Sequence, residues 1–198
     1  MYYAIYKDVR DSAWECLLNF HINKLPVDVL AIARDADIHV IRNSLVNKLY
    51  GHEFGKALTD GLDWIIIYDD TQPVSTCRFT LAHELGHIFL GHHLKYAKYA
   101  GTQEFVGKPK SEQQADMFAL RLLCPACILH ALSLTTAEEI ATVCKIPLNM
   151  AALRAERMRE LNKRGKFLTS PLEKSVYKNF QTYLASQGNF LPHEDPEP

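Results

Sequence analysis

Apolar residues recur every three or four positions over residues 9–25, where Ala13, Trp14, Leu17, Leu18 and Ile22 share one face. This spacing predicts a helix that Pro26 ends. Pro26 suits the first position of a second helix over residues 27–35, with Val29, Leu30 and Ile32 turned inward. The period then drops to two. Ile38-His39-Val40-Ile41 alternates and is β-rich, so a short strand is expected there. Trp64-Ile65-Ile66-Ile67-Tyr68, closed by Asp69-Asp70, is the strongest strand in the chain. Residues 43–63 between them are polar and Gly-containing, with room for a weak strand near Phe54.

Pro73 and Ser75 open a helix that Gly91 should end, and residues 92–110 read as a polar loop broken by Gly101, Gly107 and Pro109. Ser111-Glu112-Gln113-Gln114 fits a capping box and opens a helix that Pro125 terminates. From Thr135 onward the pattern is helical: 136–144, a break at Ile146-Pro147, 148 to about 163, then 171–187. The expected fold is α+β, a small sheet packed by helices around the helix of residues 74–90, followed by a helical C-terminal region. The expected organisation is a core over 1–130, a helical region over 131–187, and an acidic, proline-rich tail over 188–198 that should be disordered.

Composition narrows the classes. At 198 residues the chain can bury one sizeable core, and a net charge of −1 provides no global pull toward nucleic acid or acidic membrane. The first eight residues lack the basic and apolar regions of a signal peptide, and no apolar run is long enough to span a bilayer. Five scattered cysteines do not form a disulfide framework, so a cytoplasmic protein is expected.

The chemistry concentrates in Arg78-Phe79-Thr80-Leu81-Ala82-His83-Glu84-Leu85-Gly86-His87. On a helix His83 and His87 stand one turn apart on one face and can close on one ion; Zn²⁺ suits two neutral imidazoles, and Glu84 lies beside them. Phe79, Leu81, Ala82, Leu85, Ile88, Phe89 and Leu90 leave this helix no solvated face, and buried imidazoles need partners that a metal supplies. Three residues compete as third ligand. His93 has the spacing of His-Glu-x-x-His-x-x-Gly-x-x-His, but the Gly position holds Leu90, with Gly91 one place late; His92 suits a solvated helix end. Glu112 is preferred. It shares the inward stripe of Ala115, Phe118, Ala119 and Leu122 with Asp116, a carboxylate placed to orient His83.

Together with Glu112-x-x-Ala115-Asp116-x-Phe118-Ala119-x-x-Leu122-Leu123-x-Pro125, this motif resembles the ImmA/IrrE family of metallopeptidases, and Pro26-Val27 before the first strand also fits. The resemblance covers about 24–160. It implies His83, His87 and Glu112 as metal ligands and Glu84 as catalytic acid/base. Family members often carry Asn where Asp116 stands, so the charge there is particular to this chain. The resemblance also implies a protein substrate, a DNA-binding helix-turn-helix repressor of a mobile element, prophage or stress regulon.

The expected reaction is peptide hydrolysis with Zn²⁺ as cofactor, or another divalent ion such as Mn²⁺. Tyr96, Tyr99 and His92 are candidates for stabilising the oxyanion. Cys124-Pro125-Ala126-Cys127 lacks a second pair for a structural zinc and reads as two half-buried thiols at a helix end. Residues 136–154 resemble a helix-turn-helix whose second helix carries Arg154, Arg157, Arg159, Lys163 and Arg164, but Glu156 and Glu160 offset that charge and the apolar positions need packing. Substrate docking or plain packing is therefore favoured over DNA binding. The rival class is a non-catalytic metal-binding regulator acting through these C-terminal helices, distinguished by four closed ligands instead of three.

Overall fold

The computed structural model describes residues 2–51, 53–92 and 110–188. Helix α1 (Tyr2–Asn19) buries Ala13, Trp14 and Leu17 of the expected stripe together with Val9 and Cys16, leaves Leu18 half-buried, and ends before Ile22. It stops well before Pro26 because the chain turns at His21, whose φ is 53°. Helix α2 (Val29–Asp35) begins two residues later than expected. Asp28, not Pro26, sets its start: the carboxylate accepts the Ala31 N–H at 3.0 Å, satisfying one of the open amides of the first turn.

Three strands follow, with the short helix α3 (Asn43–Val46) after the first. β1 (Ile38–Arg42) runs parallel to β3 (Trp64–Tyr68), and β2 (Gly55–Thr59) runs antiparallel to β3, giving the order β1-β3-β2. The continuous apolar run of β3 is thereby explained, since it is central and buries Ile66 and Ile67. β2, the weak strand near Phe54, is an edge. Asp69 N–H donates to Phe54 O at 2.8 Å, and pairing alternates from there. The peptide groups of Gly55, Ala57 and Thr59 therefore face away from β3.

Helix α4 (Val74–Phe89) packs on β2, β3 and α5 (Lys110–Leu123), and α5 also packs on α1. Its close approach to both neighbours depends on glycine. A Cβ at Gly86 would lie 3.1–3.2 Å from Phe118 and from the Ala115 backbone, and a Cβ at Gly55 would lie 2.5 Å from the Thr80 methyl. Ser111 falls inside α5 instead of capping it, because the helix already starts at Lys110. The chain continues through α6 (Ala126–Ala131), α7 (Ala137–Cys144), α8 (Leu148–Arg164), α9 (Pro171–Asn179) and α10 (Gln181–Ser186). Thr136 and Glu139 form a capping box on α7, and Lys145, at φ 52°, turns the chain into α8. Arg78 ties α4 to this turn, donating to Lys145 O at 3.3 Å and to Val27 O at 2.7 Å. One hydrophobic cluster runs from Val9 on α1 to Leu184 on α10. No helix among the described residues is long and apolar enough to cross a membrane.

Candidate metal centre

The i, i+4 spacing on α4 brings the Nε2 atoms of His83 and His87 to 3.0 Å from each other. Glu112, in the first turn of α5, reaches both: Oε2 is 3.3 Å from His83 Nε2 and Oε1 is 3.2 Å from His87 Nε2. This reach depends on Gly86 and Ala115 at the crossing of α4 and α5. The three residues form a group that could hold a metal ion. The donor set fits Zn²⁺ in both chemistry and size. Two imidazoles and one carboxylate are a known catalytic set, and a tetrahedron with zinc bonds of 2.0–2.1 Å has edges of ~3.3 Å, close to the separations here.

Each imidazole is held from behind. His83 Nδ1 is 2.8 Å from Asp116 Oδ1, one helical turn after Glu112, as the stripe on α5 suggested. His87 Nδ1 is 3.1 Å from His92 Nδ1, and His92 Nε2 is 3.2 Å from Gln114 Oε1. One tautomer chain satisfies this line. His87 donates from Nδ1 to His92, His92 donates from Nε2 to the Gln114 carbonyl, and His87 Nε2 keeps its lone pair for an ion. His92 is thus buried, at 3% exposure, and is not the solvated helix end or oxyanion donor that its sequence position suggested. Sequence reading missed this role and assigned Gln114 only to a capping box. The available signal was Gln114 two residues after Glu112, which on a helix need not share its face.

Burial opposes charging His83, but the carboxylates of Asp116 and Glu112 outweigh it and raise its pKa to about 9. The same two imidazoles hold Glu112 well below the usual carboxylate range. Glu84 points the other way from this cluster's backing. It is 7% exposed, burial raises its pKa, and the Ala57 N–H on the β2 edge donates to its carboxylate. His83, Glu84, Glu112 and Asp116 all open on one cleft of about 670 Å³. Gly55 and Phe54 of the β2 side form one wall, and Pro147, Asn149 and Met150 at the start of α8 form another.

A family profile described as an IrrE N-terminal-like domain of peptidase family M78 matches residues 33–156. The chain belongs to the M78 peptidase family. No curated protein shows significant similarity to it. The matched span of this M78 family member carries α4, the edge strand and the ligand-bearing start of α5. His93, Tyr96 and Tyr99 lie outside the described residues, as does the tail from residue 189. Cys124 and Cys127 are free and fully buried instead of half-buried, and burial raises both thiol pKa values, so neither has the exposed thiolate that redox chemistry needs.

Proposed function

We propose that this chain is a zinc-dependent endopeptidase that cuts a specific protein, a helix-turn-helix DNA-binding repressor. The observation that carries the peptidase part is the shared cleft. His83, His87 and Glu112 converge beside Glu84, and the outward-facing backbone of a strand edge borders the same space. Zn²⁺ held by the three side chains supplies Lewis acidity, which makes water a usable nucleophile near neutral pH and polarises a peptide carbonyl.

The other roles fall to residues of the chain. Glu84, buried and with a raised pKa, takes a proton from the attacking water and returns it to the leaving amine. Asp116 and His92 hold the two imidazoles in the tautomer that leaves Nε2 available. A substrate strand pairs with the open peptide groups of Gly55 and Thr59, since β2 is an edge, and Phe54, 52% exposed, provides apolar surface beside it. Among the described residues no fourth ligand approaches the cluster: both His92 nitrogens are engaged by His87 and Gln114. Three donors beside a carboxylate support an enzyme over a structural metal in a regulator.

The repressor assignment rests on resemblance to the ImmA/IrrE family. Its test is incubation of the zinc-loaded protein, and of Glu84→Gln, with candidate helix-turn-helix repressors and with casein. The wild type should cut the repressor and spare casein, while Glu84→Gln should retain zinc and lose cleavage by ~10²-fold or more. Wild-type cleavage by Glu84→Gln would remove the proposed chemistry, and rapid casein digestion would remove the docked substrate.

A further inference from the structure

The candidate ligands occupy only one end of the cleft. From Pro73, the cap of α4, to His83 is ten residues, ~15 Å along the helix axis, and both residues line the same space. Thr76, Phe79, Thr80 and His83 recur at spacings of three and four, so one face of α4 forms the floor. The volume of about 670 Å³ leaves most of this length for substrate. An extended chain advances ~3.3 Å per residue, so four or five residues lie over the floor at once.

The lining changes character along that floor. At His83 it consists of imidazole and carboxylates, whereas Phe79, one helical turn earlier, is apolar and 8% exposed. Pro147 and Met150 enter the same space from the start of α8. Their level on α4 is set by Arg78, the neighbour of Phe79, which donates to Lys145 O at 3.3 Å and so holds the α7–α8 turn beside the Phe79 turn. Phe54, 52% exposed, adds apolar surface from the β2 side. Met150 is half-buried against the core. Its unbranched thioether side chain adapts to apolar partners of different shape. When a substrate carbonyl lies at the ligand cluster, the adjoining side chain reaches the level of Phe79, one turn or ~5.4 Å from His83.

We propose that this apolar stretch is the subsite for a leucine-sized or larger apolar side chain beside the scissile bond, with Met150 as its selecting residue. The inference rests on the peptidase reading and adds the substrate class at the cut. A small side chain leaves part of this lining wetted, and a charged one loses hydration there without gaining a partner. The α7–α8 pair thereby acquires a task other than DNA readout. The first turn of α8, which in a helix-turn-helix would meet bases, is a wall of the peptide cleft.

The test is isothermal titration of the zinc-loaded full chain with short peptide hydroxamates, which chelate zinc and carry an isobutyl, methyl or carboxyethyl side chain next to the chelating group. The isobutyl compound should bind roughly tenfold or more tightly than the other two. Met150→Ala should keep its zinc and reduce that preference by about threefold or more. Leu153→Ala, at an exposed position of the same helix outside the cleft lining, should keep the preference. Equal affinity for the three compounds would overturn the subsite and leave the metal reading standing. A preference unchanged in Met150→Ala, or lost equally in Leu153→Ala, would overturn the assignment to Met150. Failure of every hydroxamate to bind a chain that retains zinc would overturn both readings, because the metal would then be closed to ligands.

Discussion

Removing Asp116 sets two effects of similar size against each other. In Asp116→Ala the Nδ1–H of His83 loses a charged acceptor at 2.8 Å. Partners of this kind usually change metal affinity by ~10–100-fold, or ~1.4–2.7 kcal/mol, and a charged acceptor belongs at the upper end. Opposing this, Asp116 raises the His83 pKa toward about 9, so in the wild type a proton must leave before the ring can bind metal. Each pH unit below about 9 costs zinc binding ~1.4 kcal/mol. Wild-type zinc affinity should therefore rise with pH and level off near pH 9. Losing Asp116 removes part of that proton competition, so the mutational loss should be small near pH 6.5 and approach its full size near pH 9. His92→Phe, which removes a neutral acceptor at 3.1 Å from His87, should cost about tenfold, nearer the lower end. The assay is zinc competition against a chromophoric chelator across this pH range. A Kd ratio for Asp116→Ala that stays constant with pH, or that shrinks as pH rises, would refute the reasoning.

Three further outcomes are expected. Glu112→Ala should lose zinc on dialysis while His93→Ala keeps it, measured by metal analysis of the purified variants, because Glu112 lies within 3.3 Å of both imidazoles. Gly86→Val should destabilise the protein by about 1–3 kcal/mol in urea denaturation and weaken zinc binding, since a Cβ there pushes on Phe118 and the Ala115 backbone and so displaces α5 with Glu112. In the metal-free protein, the His83–carboxylate interaction stabilises the fold fully below the ordinary histidine value of 6.5 and is lost as pH rises through about 9. Its contribution to the melting temperature should fall over that interval, and Asp116→Ala should flatten the fall.

The sequence alone determined the features that depend on neighbours a few residues apart. His83 and His87 share a face because they are one turn apart, and the same holds for Glu112 and Asp116 on the next helix. The run from Trp64 to Tyr68 reads as a strand because it is apolar and β-rich, and its centre, Ile66 and Ile67, is buried. Even the pairing of Glu112 with the histidines was legible, because an acid on an inward stripe needs a partner. What the tertiary structure decided depends on contacts between distant segments, which periodicity does not encode. The strand near Phe54 is weak by propensity and becomes the edge that borders the site only because β3 pairs with β1 on its other side. His92 looked like a solvated helix end until the fold placed Gln114, 22 residues later, against its ring and buried it. The sequence left open what the basic second helix of the helix-turn-helix-like stretch packs against; Arg78 pins the preceding turn to α4, so that one end of α8 lines the metal cleft and its arginines turn toward α1 and α5. Helical spacing specifies which side chains share a face, but only packing across the whole chain specifies what that face meets.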